Sequence, residues 1–310
     1  MDEQRPAPVV VGVDGSETAL CAVSWAAHEA RRRGVGLRIV HAAPYADGSS
    51  SGERHARAIL TRAHTVATHS RPDLPVVTER LLGSMPQALV DAAAGAQLLV
   101  VGMSGGVRFE DVLPPSAALE VCTTATCPVA VVHGRDHVPA DGPVVLGVED
   151  VTADGQAVTV AFADAERHAS RLTVVHAVHA RDSSKSVDGA HQPDGALAND
   201  VLDQLGPWRA RHPEIPVDVK VVSGPAAGHL LEASVKARLL VLGTRARAAA
   251  ARVVLGSTSR TVVRLSSCAV VVVRRDAVLA EPTATPTATP TAPIPGPEPW
   301  TLHVQDRRRS

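Results

Sequence analysis

The apolar stretch VVVGV at residues 9–13 returns almost unchanged as VVLGV at residues 144–148. Four of the five positions are identical, although almost half of the chain separates the two copies. A short run of branched apolar residues bounded by turn residues is typical of a strand that is buried on both faces. Its return within one chain indicates that a whole structural unit is duplicated.

Three further blocks repeat in the same order along the chain. They are the pairs Ile39–Ala42 with Val174–Ala177, Leu98–Gly102 with Leu239–Gly243, and Cys127–Val132 with Cys268–Val273. The first pair keeps the spacing that separates Val9 from Val144, whereas the members of the other two pairs are slightly further apart, with the additional residues in the segment 181–195. We therefore predict two tandem domains, at residues 1–137 and 138–276, followed by a tail at residues 277–310.

Within each unit, short Val- and Leu-rich runs alternate with longer Ala-rich segments. This alternation is typical of β-α-β units with right-handed crossovers, so it predicts a parallel sheet that is covered by helices on both faces. Each unit should be an α/β domain of the doubly wound, Rossmann-like class with a five-stranded parallel sheet. We expect Ser16 to cap a helix that ends at Gly34, and Asp154 to cap the corresponding helix, which ends near Arg167.

Composition and charge narrow the class of function. The chain has 310 residues, with 31 basic and 32 acidic side chains and a net charge of -1. It therefore lacks the basic balance that is typical of proteins that bind nucleic acid or anionic membranes. We expect no membrane span and no secretion signal, which predicts a cytoplasmic protein. The Pro- and Thr-rich tail is predicted to be disordered, since its composition cannot form a packed core.

Two loops in the first unit follow strand ends, the positions at which open α/β sheets bind ligands. Asp14 follows the first strand, and Gly102 and Gly105 precede a nine-residue spacer and the pair Pro115–Ser116, which is expected to open a helix. Small residues allow backbone N–H groups to approach phosphate oxygens, and the helix dipole favours an anion. The second unit repeats this pattern, so each unit is predicted to have a phosphate-binding loop.

At these residues the sequence resembles the universal stress protein family, whose nucleotide motif is Gly-x2-Gly-x9-Gly-Ser/Thr after strand four, with an Asp ending strand one. The resemblance covers residues 8–134 and 143–275. It implies that the strand-one Asp meets ribose, that backbone after strand two meets adenine, and that the motif glycines and Ser/Thr hold phosphates. The implied ligand is ATP or another adenine nucleotide, with or without Mg²⁺. Carried over by position, the binding residues are Asp14, Ala42, Gly102, Gly105 and Ser116 in the first unit, and Glu149, Ala177, Gly243, Gly256 and Ser257 in the second.

Both units depart from that motif. Pro115 stands where the first unit should have Gly, and its missing N–H removes a hydrogen bond to a charged group, worth about 1.5–3 kcal/mol. In the second unit, Ala246 replaces the middle Gly, and Glu149 replaces the strand-one Asp. The second loop carries positive charge from Arg245, Arg247 and Arg252. We therefore expect the second unit to favour phosphate and the first unit to favour ribose.

No residue is assigned as a metal ligand or a catalytic group. His176 and His179 are three residues apart after a strand, which predicts that they face opposite sides. The equivalent repeat positions of His41 and His176 fit a structural role at the strand ends. The chain also has no P-loop lysine motif and no paired Cys/His nucleophile. We therefore expect no catalytic site and no metal.

The resemblance implies a non-catalytic regulatory module of the stress response that binds adenine nucleotide and acts through a regulatory protein partner. In the family the last strands pair across a dimer interface, so the resemblance implies that Val129–Val132 and Val270–Val273 pair within this chain and give a pseudo-dimer. Association of two whole chains stays open. The alternative is a nucleotide-independent interaction or scaffold protein with degenerate motifs. Pro115 and Glu149 are the residues that favour this alternative.

Overall fold

The computed structural model of the protein describes residues 6–43, 50–103, 115–134, 141–178, 194–244 and 255–280. The tail beyond residue 280 and most of both predicted phosphate loops lie outside these ranges. Among the helices within them, none combines the length and the apolar composition needed to cross a lipid bilayer.

Strands and helices alternate along both units. In the first unit they are β1 (Val9–Gly12), α1 (Glu17–Arg33), β2 (Leu37–Ala43), α2 (Ser50–Ser70), β3 (Val76–Leu82), α3 (Met85–Ala92), β4 (Leu98–Met103), α4 (Pro115–Thr124) and β5 (Val129–His133). In the second unit they are β6 (Val144–Val148), α5 (Gly155–Arg167), β7 (Leu172–Val178), α6 (Asp194–Gln204), α7 (Gly206–Arg211), β8 (Val217–Ser223), α8 (Ala226–Ser234), β9 (Leu239–Gly243), α9 (Ser257–Leu265) and β10 (Ala269–Val273). The order confirms the predicted α/β class and the two tandem domains.

The strands form one sheet of ten, in the order β3-β2-β1-β4-β5-β10-β9-β6-β7-β8. Pairing is parallel within each unit and antiparallel where the units meet, between β5 and β10. At this junction Val270 lies opposite Val131, and Val272 lies opposite Val129. The pairing of the two last strands that the family resemblance implied is therefore present within the chain.

The central strands are buried on both faces, as their unbroken apolar runs predict. Every residue of β4, β5 and β10 is buried. Because successive residues of a strand point to opposite faces, Val129 and Val131 join one apolar core while Ala130 joins the other. Both cores contain residues of both units, so the hydrophobic interior continues across the junction.

The first helix of each unit begins differently. In α1 the Ser16 hydroxyl accepts a hydrogen bond from the Ala19 N–H at 3.1 Å, and Gly34 ends the helix at a φ of 67°, as predicted. Helix α5 begins at Gly155, and Asp154 at its capping position makes no capping hydrogen bond. Asp154 therefore holds the predicted capping position, but the predicted capping hydrogen bond is wrong. Its carboxylate accepts a hydrogen bond from the Glu149 N–H instead.

Each unit also binds the last helix of the other. His133, at the end of β5, lies with its Nε2 2.9 Å from the carbonyl oxygen of Val263 in α9. Arg274 holds the equivalent repeat position after β10, and its Nη1 donates to the carbonyl oxygens of Thr123 and Thr124 at 3.1 and 3.0 Å. Both side chains thus reach carbonyl groups in the C-terminal part of the partner helix, where acceptors lack intrahelical donors.

A buried cluster of charges joins α1 to α5 on one side of the sheet. Asp164 is fully buried and accepts hydrogen bonds from Arg33 at 2.8 Å and from Arg167 at 2.7 Å. Glu29, also fully buried, lies 3.7 Å from Arg33 and 3.1 Å from His168. Since charges out of water are tolerated when they are paired, this cluster ties the two units together through complementary charge.

Candidate functional site

The first candidate site lies at the carboxyl ends of β1, β2 and β4. In the order β3-β2-β1-β4-β5, the chain leaves β1 toward β2 on one side and returns as β4 on the other. This reversal creates a crevice between β1 and β4, which is where open α/β sheets hold their ligands. The N-terminus of α1 opens into the same crevice and supplies a partial positive charge.

Asp14 lies at this crevice in a turn that needs glycine. Its Oδ1 accepts a hydrogen bond from the Ser16 N–H at 2.9 Å, which orients the carboxylate at the start of α1. Gly15, between them, has a φ of 92°, in the region that L side chains rarely adopt. The Asp-Gly-Ser order therefore has a conformational reason in addition to its resemblance to the family motif.

Ala42 lies beside this turn, on β2. The β1–β2 register pairs Gly12 with Val40, so Asp14 comes level with Ala42 two residues later. The ring of His41 secures the strand ends, since its Nδ1 lies 2.8 Å from the carbonyl oxygen of Val13. Burial lowers the pKa of His41 more than that contact raises it, which keeps the ring neutral near pH 7. The expected structural role of this histidine is confirmed.

Gly102, near the end of β4, lies directly against the first turn of α1. A Cβ atom at this position would stand 2.8 Å from the carbonyl oxygen of Thr18 and 3.1 Å from the Cα of Ala19. Only glycine allows so close an approach between strand and helix. The structure thus brings Asp14, Ala42 and Gly102 together around the N-terminus of α1.

The remaining predicted residues of the first site are less fully described. Gly105 lies outside the described residues. Ser116 is in the first turn of α4, but its side chain is likewise outside the description. Pro115 is the first residue of α4. Proline is favoured there because the N–H at that position has no partner within the helix.

The second unit repeats the backbone arrangement with other side chains. Glu149 follows β6 and is exposed, Ala177 is half-buried on β7, and Gly243 ends β9. Gly256 and Ser257 open α9 as predicted, with Gly256 at the capping position and Ser257 exposed. The three loop arginines that favoured phosphate binding in the second unit lie outside the described residues.

The carboxylate of Asp154 lies in the crevice of the second unit. A Cβ atom on Gly243 would stand 2.8 Å from Asp154 Oδ1. Asp154 Oδ2 accepts a hydrogen bond from the Glu149 N–H at 3.4 Å, and Arg275 Nη2 lies 3.5 Å from Oδ1. Asp154 is only 7% exposed. A buried anion therefore lies between the ends of β6 and β9.

Sequence reasoning missed this role, although the repeat carried a signal for it. When Val9 is aligned with Val144, Asp154 aligns with Ala19, whose backbone lies together with that of Thr18 against the equivalent Gly102. Helix α5 also begins three positions later than α1 in that alignment. A charged residue at the position of a buried alanine was therefore the observable difference between the units.

Comparison with known proteins agrees with the repeat. The model of the universal stress protein family matches residues 7–133 and again residues 142–274. Universal stress protein Rv2623 of Mycobacterium tuberculosis is 31% identical over 284 residues, which cover 86% of this chain and 96% of that protein. A crystal structure of a universal stress protein from Archaeoglobus fulgidus superposes with a TM-score of 0.66 at 18% identity, covering 86% of this chain and 98% of that one.

Another structure, of a different chain, is that of the universal stress protein from Archaeoglobus fulgidus in complex with dAMP. The two sequences are 27% identical, and the match covers 40% of this chain and 96% of the Archaeoglobus fulgidus chain, with a TM-score of 0.34.

Proposed function

This chain belongs to the universal stress protein family, and from that premise we propose that it is a non-catalytic cytoplasmic regulatory module that binds an adenine nucleotide in its first unit. The observation that carries the proposal is the juxtaposition of Asp14, Ala42 and Gly102 at the N-terminus of α1. A carboxylate, a small strand-end residue and a helix N-terminus are suited to ribose, adenine and phosphate respectively.

The Asp14 carboxylate is suited to ribose hydroxyls because it is held in place before any ligand binds. The bond from the Ser16 N–H fixes its direction. A carboxylate can accept about four hydrogen bonds, so this bond orients the group while leaving capacity for donors on a sugar. Preorganisation of this kind lowers the entropy that binding costs.

We propose further that the second crevice does not take phosphate, which reverses the preference expected from its loop arginines. The carboxylate of Asp154 lies against Gly243. Gly243 is the motif glycine at which the backbone would approach a bound phosphate, so the negative charge occupies that place. Arg275 and the Glu149 N–H already interact with this carboxylate. A phosphate there would meet a like charge in a partly desolvated site, which opposes binding.

The test is calorimetric titration of the full chain with ATP, AMP and cyclic AMP, with and without Mg²⁺. We expect one molecule bound per chain and no phosphate release in the same samples. Asp14→Asn keeps the acceptor for Ser16 and removes the charge, and it should weaken binding roughly tenfold or more. Glu149→Gln, at the equivalent position of the second unit, is the matched control and should bind as the original protein does.

Asp154→Ala separates the two parts of the proposal. It gives the second unit the residue that the first has at position 19, and we expect a second molecule of nucleotide to bind. If the variant still binds one molecule, the proposed blocking role of Asp154 is wrong while the first site stands. Two molecules bound by the unaltered chain would also contradict that role.

The alternative function is a nucleotide-independent interaction protein. The specific observation in its favour is that both units carry an obstacle, Pro115 at the start of α4 and Asp154 in the second crevice. Absence of heat and of any thermal shift with every nucleotide would reject our proposal and leave this one. The next experiment would then be a search for the regulatory protein partner, including a second copy of this chain.

A further inference from the structure

Three side chains meet at the edge of the sheet opposite the nucleotide crevice. Glu166 lies in the last turn of α5, His212 follows α7 directly, and Glu214 lies in the turn before β8. Helix α5 runs back toward the amino ends of the parallel strands, so this cluster is remote from Asp14 and from Asp154. Glu166 is separated from the other two by a strand and two helices, and no spacing motif in the sequence would join them.

One ring nitrogen faces both carboxylates. His212 Nδ1 lies 3.2 Å from Glu166 Oε2 and 3.9 Å from Glu214 Oε1. One ligand atom from each of the three residues lies within 4.8 Å of the other two. In a tetrahedral zinc site with bonds of about 2.1 Å, ligand atoms stand roughly 3.4 Å apart. The two distances from His212 bracket that value, and the two carboxylate oxygens lie within 4.8 Å of each other, so rotations of the two exposed glutamate side chains would close the site.

The histidine ring is held by packing. It stacks on Phe162 with ring centroids 5.7 Å apart and an angle of 27° between the planes. Phe162 is fully buried and lies one helical turn before Glu166 on the same face of α5. One turn earlier, Thr159 accepts a hydrogen bond from Trp208 Nε1 at 2.9 Å, which fastens α7 to α5. Rigid elements therefore present His212 and Glu166 to each other.

The third ligand is placed by the backbone. The Ile215 N–H donates to the carbonyl oxygen of His212 at 3.2 Å, which closes a turn that carries Glu214. The side chains of Glu166 and Glu214 are 56% and 58% exposed, whereas that of His212 is 22% exposed. Both carboxylates line a cavity of about 510 Å³, so an ion and its water ligands can reach them.

We propose that Glu166, His212 and Glu214 form a binding site for a divalent transition-metal ion of the Zn²⁺ class. One imidazole nitrogen and two carboxylate oxygens suit zinc, with water completing the coordination, whereas Mg²⁺ and Ca²⁺ prefer all-oxygen sites. The partial negative charge at the C-terminus of α5 adds to the attraction for a cation. The competing interpretation of the same distances is a protonated His212 that pairs with the two carboxylates.

The test titrates the untagged full chain with Zn²⁺ alone at pH 7 and follows Co²⁺ binding by its visible absorption. We expect one equivalent to bind with micromolar affinity or better, and the melting temperature to rise with zinc. His212→Phe keeps the stack on Phe162 and removes the ligand nitrogen, and Glu214→Gln changes only an exposed carboxylate. Each should weaken binding roughly tenfold or more.

His229→Ala is the matched control. His229 is another half-buried histidine of the second unit, and its Nε2 lies 3.1 Å from the carbonyl oxygen of Ser223. Its loss should leave zinc affinity and the cobalt spectrum unchanged. The proposal is wrong if the unaltered chain binds no zinc, or if the His212 and Glu214 variants bind as tightly as it does, since the cluster is then an ion pair. Neither outcome depends on nucleotide binding.

Discussion

Gly102 and Gly243 hold the same position in the two repeats, yet they face different neighbours. Gly102 faces the backbone of Thr18 and Ala19, and Gly243 faces the carboxylate of Asp154. A Cβ at Gly102 would overlap backbone atoms that cannot move aside, whereas a Cβ at Gly243 would meet a side chain that can. One substitution, alanine to aspartate at the repeat position of Ala19, separates a crevice with an open helix N-terminus from one that holds its own anion.

Gly102→Ala should destabilise the protein by about 1–3 kcal/mol, since the added Cβ meets the backbone of α1, which cannot move aside as a side chain can. Gly228→Ala is a control of opposite sign. A Cβ on Gly228, within α8, meets no atom within 4 Å, and alanine there should stabilise the protein by up to about 1 kcal/mol. Urea unfolding curves measure both changes. Equal effects of the two variants would contradict the proposed close packing of α1 on β4.

At the scale of elements, α1 and α5 show how one duplicated helix acquired two roles. Both pack on the same side of the sheet and share one apolar core. Their C-terminal parts meet through the buried charges of Glu29, Arg33 and Asp164. Helical spacing identified the apolar faces of these helices, but no pattern in either unit indicated that their charged residues pair with those of the other unit.

Asp164→Asn should cost about 3–5 kcal/mol of stability, because it removes the carboxylate nearest to the buried Arg33 and to Arg167 and leaves Arg33 with Glu29 at the longer distance of 3.7 Å. Asp73→Asn removes a carboxylate that lies at a similar distance, 2.7 Å, from Arg31. That pair is 59% exposed on both sides, so its loss should cost at most about 1 kcal/mol. Chemical denaturation of both variants makes the comparison. A cost for Asp164→Asn as small as that for Asp73→Asn would show that the cluster does not join the units.

At the scale of the molecule, the ten-stranded sheet and its two cores make the tandem domains one continuous body. The domain boundaries at residues 137 and 276 stay predictions, as do association of two chains and a regulatory partner. The buried charges at the interface make this body sensitive to acid. Burial would raise the pKa of Glu29, but the hydrogen bond and charge of His168, together with Arg33 and Arg32, outweigh it and lower the pKa to about 2.

A carboxyl group whose pKa is lower in the folded state stabilises the protein above its unfolded pKa and loses that contribution as pH falls toward the folded pKa. The stabilisation by Glu29 should therefore be complete near neutral pH and decline from about pH 5 toward pH 2. Glu29→Gln should be less stable than the unaltered chain at pH 7, and the difference should shrink in acid. Unfolding free energies of both proteins across this range measure it. A difference that is independent of pH would contradict the assignment.

The predictable part of the candidate site is the part formed by neighbours in sequence. Asp14, Gly15 and Ser16 form one turn, and the hydrogen bond between Asp14 and Ser16 lies within it. Gly102 follows from strand order, because parallel strands end at the same edge of a sheet, whereas Ala42 was implied by the resemblance to the family. The position of the Asp154 carboxylate could not be predicted in this way. The carboxylate could cap α5 or contact Gly243, Glu149 and Arg275, and the sequence is compatible with both. That choice depends on the distance between α5 and β9.

The resemblance to the family implied the pairing of the two last strands. The sequence by itself determined the tandem repeat, the α/β class and the ends of α1. These features depend on apolar periodicity, turn residues and duplication, which are local or repeated properties of the chain. The tertiary structure alone decided that Asp154 enters the second crevice, that Glu29 and Asp164 meet Arg33 across the units, and that Glu166, His212 and Glu214 converge. The physical reason is that the partner of a charged side chain is whichever opposite charge packing places beside it. The distance between two residues along the chain does not show whether packing will bring them together.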